Sequence, residues 1–492
     1  MINNNNSAKN LYDNFEKNFS ELDYTFSDCP DIIRRRVAFD SGAKGCFFYV
    51  QGLCDANLMQ RDVIMPILKL EKIDTNELKY ISSKIPVGQL TFPVKFDALI
   101  KDILSGNVVF ICDGLNCAIS FALRKYEKRV IDEPKGEKNI RGNHDGFIED
   151  LETNMAILRR KIKNPNLKFK NFTIGAASNQ TVSIAYLDNV ANPNLLKTLC
   201  DKISNVDYDC FIGIGYLEQL MIDHPKSIFP QYLSTERPDK AVAGLLEGRF
   251  VLMLQETSFV LILPVTFFSF IQTTDDHTVN WIGGTYLVML RLMAIFVTLF
   301  VPSTYIAILT FHYYMIPLSL LVPIAQSRAK VPFPPVVEAF LIEFIIEMIR
   351  EASIRLPTFI TSSISIVGGL VIGQAAVQAG IVSDLMIITI GAAAIAGFTI
   401  PTYDMGISFR LFKYFTMITS SIFGVIGVVV PAMLLLSHLL VLDSLGEPYF
   451  QPIEPFKFRD LKDTLIRAPL KYLKKRPDIA KPLDKERGNG NG

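Results

Sequence analysis

Four glutamates recur along one apolar stretch of the chain, residues 336–356, and acidic groups in such a setting have clear chemical uses. They are Glu338, Glu343, Glu347 and Glu351. The last three are spaced by four residues, so they form a stripe on one face of a predicted helix. Carboxylates there can attract cations and line a polar cavity. An amphipathic helix can instead lie on a membrane surface with its glutamates paired to its own arginines, and both interpretations remain open.

A second set of candidate residues lies just downstream, in the glycine-rich stretch 355–403. Gln374 and Gln378 are four residues apart and therefore share one helix face. Gly369 and Gly373 would allow helix backbones to approach closely in lipid. The stretch is predicted to form a helical hairpin with its polar groups turned inward, near a cavity or gate.

A third cluster contains Arg141, His144, Asp145 and Glu149 within nine residues. A histidine beside carboxylates can move protons, which would suit catalysis. The alternative is a linker that forms salt bridges between the flanking subdomains. We favour the linker, because no nucleophile, metal motif or phosphate loop accompanies the cluster.

Two histidines near the ends of apolar runs give the only other catalytic hypothesis. His277 and His312, with Asp275 and Asp276, have a spacing that fits no metal motif. The sequence therefore predicts a protein that is not an enzyme and that holds no metal or cofactor.

Composition divides the chain into a soluble part and an apolar part. Its 492 residues predict two or three units, and a formal net charge of +1 does not suggest nucleic-acid binding. Mean hydropathy is +0.27, with the apolar excess after Phe250. All seven cysteines precede that point, which favours reduced, mostly buried thiols in a cytosolic domain.

The first half alternates short apolar runs with amphipathic segments, which predicts an α/β fold. An internal repeat aligns 47–59 with 184–196 at an offset of 137, so Tyr49 matches Tyr186. Both copies predict a strand, a tight turn and a helix, and hence two similar subdomains in tandem. The predicted units are a disordered polar segment at 1–35, subdomain 1 at 36–130, a linker loop with an amphipathic helix at 131–168, and subdomain 2 at 169–245.

The second half, 246–450, is predicted to be an all-α polytopic membrane domain, because its apolar runs of about 20 residues can cross a bilayer. The five predicted spans are 251–271, 282–309, 358–379, 382–402 and 413–441. Basic loops, including a turn at 407–414, place the N-terminal half in the cytoplasm. Five spans would then put the basic C-terminal tail at 451–492, of which 457–492 is predicted to be exposed, outside, against the same rule. Either the first apolar run is interfacial or the tail is an exception.

Five stretches of the chain, in order, resemble the A subunits of the GerA family of spore-germination receptors. They are 133–165, 236–249, 331–357, 365–383 and 398–405. One departure lies in the first stretch, which has Arg141-Gly142-Asn143-His144-Asp145 where the family often has Arg-Gly-Pro followed by a basic residue and an acid.

The resemblance implies a tandem α/β cytoplasmic domain and a multi-pass domain in the inner membrane of a bacterial spore. It also implies a transporter-like B subunit and a lipoprotein C subunit as partners, and assembly into a homo-oligomer in contact with lipid. The expected function is to transduce nutrient binding into ion release and germination, as a ligand-gated cation channel. The alternative is a secondary transporter of small molecules or ions, which proline-broken helices favour.

Overall fold

The computed structural model describes residues 9–39, 42–69, 85, 87, 89–124, 145–355, 373–464 and 466–488. These residues form two α/β subdomains, a helical region and a C-terminal tail. The predicted α/β class of the N-terminal region, with two similar subdomains, is confirmed, and the region that follows it is helical.

Subdomain 1 is a five-stranded antiparallel sheet covered by helices. Its elements are α1 (Phe15–Thr25), β1 (Ile32–Ala38), β2 (Lys44–Val50), α2 (the consecutive helical segments Ala56–Leu58, Met59–Ile64 and Met65–Leu68), β3 (Leu90–Thr91), α3 (Phe96–Leu104), β4 (Val108–Cys112) and β5 (Ile119–Phe121). The strand order is β1-β2-β4-β5-β3. Helix α1 buries Phe15, Phe19 and Leu22 in the core. The prediction of disorder at 1–35 is therefore wrong for residues 15–35, where apolar side chains at helical spacing find a sheet to pack on.

Subdomain 2 repeats this arrangement. Its elements are α4 (Leu151–Lys161), β6 (Leu167–Ile174), β7 (Gln180–Leu187), α5 (Pro193–Ser204), α6 (Ile214–Met221), β8 (Leu233–Thr235), α7 (Pro238–Leu246), β9 (Phe250–Leu254) and β10 (Val260–Leu263). The strand order, β6-β7-β9-β10-β8, is that of subdomain 1 with each number raised by five. The repeat found in the sequence falls on β2 and β7, which occupy equivalent positions in the two sheets.

The predicted first membrane span, 251–271, is wrong. This range holds most of β9, all of β10 and a short 3-10 helix at Phe267–Phe270. Both faces of β9 are covered, because Val251 and Met253 face one hydrophobic cluster while Leu252 and Leu254 face another. A strand buried on both faces is apolar at every position, which is why the run resembled a span.

An asparagine clasp marks the start of each subdomain. In α1, Asn18 Oδ1 accepts from Tyr12 N at 2.9 Å and its Nδ2 donates to Tyr12 O at 2.6 Å. In α4, Asn154 makes the same two bonds with Ile148, at 2.9 and 2.5 Å. Helix α4 is therefore the first helix of subdomain 2, and the prediction that it belongs to a linker at 131–168 is wrong.

The helical region follows β10. Its helices are α8 (Asp275–Thr278), α9 (Trp281–Phe311), α10 (Leu318–Arg328), α11 (Pro335–Arg355), α12 (Gly373–Gln378), α13 (Asp384–Gly397), α14 (Tyr403–Phe423) and α15 (Ile426–Val441). Within the described ranges, α9 alone is long and apolar enough to cross a membrane, while α13 and α15 are shorter apolar helices. Most of the predicted span 358–379 lies outside the described residues.

The predicted last span, 413–441, is two helices. Helix α14 ends at Phe423, and the next residue, Gly424, has a φ of +65°, a conformation that glycine adopts readily. Helix α15 then folds back, and a Cβ at Gly427 would lie 2.0 Å from Thr419 O. The basic segment 407–414, predicted as a turn, lies inside α14, because its apolar residues pack on α9 and on subdomain 2.

The C-terminal tail returns to subdomain 2. The short strands β11 (Asp443–Ser444) and β12 (Glu447–Pro448) precede it, and it contains α16 (Leu461–Thr464). Leu483 N donates to Val190 O at 2.8 Å, and Ile479 and Ala480 are buried. Arg467 is 5% exposed and donates to the backbone just before α9. The prediction of an exposed tail is therefore wrong for these parts of 451–492.

Candidate functional site

Glu343 of α11 and Lys413 of α14 form an ion pair sealed inside the helical region. Lys413 Nζ lies 2.7 Å from Glu343 Oε2, and the two side chains are 2% and 1% exposed. Charges removed from water require a close partner, because desolvation alone costs several kcal/mol per ion. Within the described part of the chain, Glu343 Oε1 has no hydrogen-bond partner. The pair ties α11 to α14 through one short contact.

Glu338 lies nearer the start of α11 and is fully buried. Its Oε2 accepts from Ser383 N at 3.0 Å and from Ser383 Oγ at 2.9 Å. Its Oε1 lies 3.3 Å from Arg328 Nη2. This carboxylate therefore joins three helices, since Arg328 ends α10 and Ser383 precedes α13.

Glu347 and Glu351 lie nearer the C-terminal end of α11 and are progressively more exposed. Glu347 Oε1 lies 3.1 Å from Arg410 Nε of α14 and 2.7 Å from Arg350 Nη1. Glu351 pairs with Arg355 at 2.6 Å on the exposed surface. We use the name charge ladder for the three interhelical pairs, which are Glu338–Arg328, Glu343–Lys413 and Glu347–Arg410.

The four predicted glutamates thus share one helix, and each has a cation beside it. Sequence reasoning missed the partners Arg328, Arg410 and Lys413. A signal was available, since Arg410 and Lys413 are three residues apart and so share a helix face opposite acids spaced by four. That the carboxylates line an ion path stays a prediction.

The two candidate glutamines of 355–403 are not members of the charge ladder. Gln374 and Gln378 are exposed in α12. A Cβ at Gly373 would meet nothing within 4 Å, and Gly369 lies outside the described residues. Their proposed roles in gating and helix packing stay predictions.

The interdomain cluster is divided by the limits of the described residues. Arg141 and His144 lie outside them. Asp145 pairs with Lys161 at 2.9 Å and with Arg160 at 3.5 Å, so its contacts stay at the start of subdomain 2.

Glu149, the last member of that cluster, borders a cleft of about 350 Å³ between the subdomains.

The two candidate histidines, His277 and His312, are not brought together. Arg467 donates to His277 O, and His312 Nδ1 lies 2.8 Å from Tyr314 Oη. In the described ranges no group of three or more His, Cys, Asp or Glu could hold a metal ion.

The joint between the subdomains is a buried, bidentate ion pair. Arg159 Nε and Nη2 lie 2.8 and 2.9 Å from the two carboxylate oxygens of Asp31. The side chains are 0% and 3% exposed. Arg159 also donates to Asn164 O at 3.1 Å.

We expect Arg159→Met to lower the free energy of unfolding by about 3–5 kcal/mol, because it leaves the Asp31 carboxylate buried without its cation. Thermal unfolding of the purified full chain in detergent measures the loss. Lys44→Met is the matched control, since Lys44 and Glu16 form an exposed pair at 3.1 Å and should contribute less than about 1 kcal/mol. Equal losses in the two variants would show that burial of the joint is irrelevant.

Subdomain 2 contacts the helical region through the junction loop, which we define as residues 222–232 between α6 and β8. The Phe229 ring lies 6.0 Å from the ring of Phe409 in α14, and Ser408 Oγ donates to Ile228 O. Further bonds connect the loop to α15 and β11: Ser227 Oγ to His438 Nε2 at 2.9 Å, His224 Nε2 to Asp443 Oδ1 at 2.8 Å, and Ser444 Oγ to Gln231 O at 2.7 Å. One hydrophobic cluster continues from the sheet of subdomain 2 into α9, α14 and α15.

Glu218 of α6 lies beside this junction, and its carboxyl group has a raised pKa. Burial, together with the nearby Asp404 carboxylate, raises the pKa of Glu218 to about 8. Because the folded pKa exceeds the ordinary value of 4.5, the folded protein holds the proton more tightly than the unfolded chain does. The stabilisation is complete below pH 4.5 and is lost as the pH rises to about 8.

We expect Glu218→Gln to raise the free energy of unfolding by about 1–2 kcal/mol at pH 9 and to change it little at pH 4.5, because glutamine cannot ionise. Chemical unfolding at the two pH values measures this difference. Glu152→Gln, at an exposed position of α4, is the control and should respond alike at both. An equal effect of Glu218→Gln at both pH values would contradict the prediction.

Comparison with known proteins places these features in context. A family model described as Bacillus/Clostridium GerA spore germination protein matches residues 20–479. Spore germination protein KA of Bacillus subtilis (strain 168) is 37% identical over 475 residues, which cover 96% of this chain and 87% of that protein. The uncharacterized membrane protein YfkQ of the same strain is 34% identical over 487 residues, covering 99% and 94%.

A solved structure also matches part of the chain. It is the crystal structure of the N-terminal domain of the A subunit of the Bacillus megaterium spore germinant receptor GerK3. The match has a TM-score of 0.43 and 27% sequence identity, and it covers 53% of this chain and 98% of that one.

Proposed function

The chain belongs to the GerA family of spore germination proteins, and from this we propose that it is the A subunit of a nutrient germinant receptor. In this role it converts nutrient binding into ion release, as an oligomeric, ligand-gated cation channel in the inner membrane of the spore. Its proposed partners are a transporter-like B subunit, a lipoprotein C subunit and further copies of itself.

Apolar helix surfaces support the proposed multi-pass membrane position. Met293 and Phe296 of α9 are 70% and 61% exposed, and Met433 of α15 is 65% exposed. Side chains of this kind need lipid or another apolar surface. The name of YfkQ, a membrane protein, points the same way.

The contact between the tail and subdomain 2 indicates that both ends of the chain lie on the same side of the membrane. Two regions in contact must lie on the same face of a membrane. Because 251–271 forms strands, the odd count of spans that placed the basic tail outside no longer applies. We propose that subdomains and tail are both cytoplasmic, which agrees with the basic composition of the tail.

Helix α14 carries the observation on which the proposed transduction rests. Its residues Ser408 and Phe409 contact the junction loop, and Lys413 pairs with Glu343 about one turn further on. A shift of subdomain 2 would therefore move the same helix that holds the buried ion pair. Packed interfaces with two discrete arrangements are a common basis of gating.

Ion release from spores tests the proposal. Spores lacking this chain should lose ion release in response to their germinant, and the reintroduced gene should restore it. Receptors with Glu347→Gln, a change that leaves the buried Glu343–Lys413 pair intact, should carry a reduced germinant-triggered cation flux after reconstitution with their partners, because a neutral amide attracts cations less strongly. Unchanged flux would refute the hypothesis that this carboxylate lines the path.

A further inference from the structure

A cavity of about 420 Å³ lies where the tail closes over subdomain 2. Its walls come from α7, from the segment between β10 and α8, and from tail residues 451–479. The floor is apolar and nearly sealed, since Leu233, Ile262, Phe268 and Ile479 are each between 2% and 6% exposed. The volume suits a small molecule or one end of a larger one.

The rim of this cavity is basic. Seven lysines and arginines line it, against three acids. The cations are Lys240, Arg249, Arg459, Lys462, Lys471, Lys474 and Lys475, and the acids are Glu247, Asp460 and Asp463. A cation already lies near each acid: Arg249 is 3.0 Å from Glu247, Arg459 is 3.3 Å from Asp460, and Arg487 is 3.6 Å from Asp463.

Three lysines of the rim carry charge that no acid of this cavity balances. Among the described residues, Lys462, Lys471 and Lys475 form no ion pair. Arg249 donates through Nη1 to Ser269 Oγ at 3.2 Å, whereas its Nε is buried without a hydrogen-bond partner in the described part of the chain. An apolar floor beneath an unbalanced positive rim is complementary to an anion with an apolar body.

We propose that this cavity binds the phosphate group of an anionic amphiphile. His277 and Thr274 of its wall lie a few residues before Trp281, the first residue of α9. If α9 crosses the bilayer as proposed, the cavity opens at the level of the lipid head groups, where basic pockets bind anionic lipids. The lipid source rests on that membrane placement, but the anion site itself does not.

Native mass spectrometry of the full chain in detergent tests the proposal, with phosphatidylglycerol, phosphatidylcholine and soluble glycerol phosphate as probes. We expect phosphatidylglycerol to bind at least about tenfold more tightly than phosphatidylcholine. The triple variant Lys462→Gln, Lys471→Gln, Lys475→Gln should weaken that binding about tenfold or more. Ala243→Trp, which fills the cavity without changing its charge, should weaken it similarly.

The matched control is Lys163→Gln, Lys197→Gln, Lys226→Gln, which removes the same charge from exposed positions outside the cavity and should leave binding unchanged. Glycerol phosphate that binds as tightly as the lipid, and that is lost in the same variants, would support the anion site and identify a soluble ligand. Equal binding of both lipids, or equal losses in the cavity and control variants, would overturn the proposal whether or not the chain is a channel.

Discussion

Lys413→Met is expected to destabilise the helical region by about 3–5 kcal/mol, because it leaves Glu343 charged and buried without a partner. The 2.7 Å contact and exposures of 1–2% place this pair among the most buried charges of the described chain. Thermal unfolding of the full chain in detergent measures the stability. Cation flux through the reconstituted receptor measures the effect on the gate, and we expect flux without germinant once α14 is released from α11.

The double variant Glu343→Gln with Lys413→Met distinguishes the cost of an unpaired buried charge from the cost of lost packing. Removing both charges leaves no unpaired ion, so we expect most of the lost stability to return. Arg355→Met is the matched control, since its pair with Glu351 is exposed and should change stability by less than about 1 kcal/mol. A double variant as unstable as Lys413→Met alone would show that the cost comes from packing around the lysine stem.

The two subdomains show how far the sequence alone could predict the fold. The repeat at an offset of 137 identified β2 and β7, because short strands before tight turns carry strong local signals. The sequence contains a second repeat. Gly106 follows α3 and Gly248 follows α7 at an offset of 142, with φ of +86° and +87°, and each precedes a strand pair. Applied to 250–263, that pattern predicts a hairpin where hydropathy alone predicts a span.

Of the charge ladder, the sequence predicts the glutamates of α11 but not the cations on the helices that face them. Spacing by four placed the glutamates on one face of α11, since periodicity reports which residues of a single helix are neighbours. It does not report which other helix faces them. The charges of Arg410 and Lys413 therefore predict a cytoplasmic turn, although their apolar neighbours Phe409 and Phe412 belong to a buried cluster.

Phe229→Ala in the junction loop is expected to abolish most of the response to germinant, with ion release slowed at least about tenfold. The substitution removes the ring that packs against Phe409 and leaves the charge ladder untouched. Truncating a buried phenylalanine costs about 3–5 kcal/mol of stability. Because Phe229 packs against Phe409, the substitution weakens the contact between subdomain 2 and α14. Ion release from germinant-treated spores that carry the variant gene measures the response.

Lost stability elsewhere in subdomain 2 must be separated from lost transmission, and Phe211→Ala provides the comparison. Phe211 is 1% exposed in the second hydrophobic cluster of subdomain 2, away from α14, so its truncation should cost a similar free energy of unfolding. If the junction loop transmits the signal, Phe211→Ala slows ion release far less than Phe229→Ala at equal protein abundance. Equal slowing would mean that any weakening of subdomain 2 suffices, and the assignment of transmission to the junction loop would be wrong.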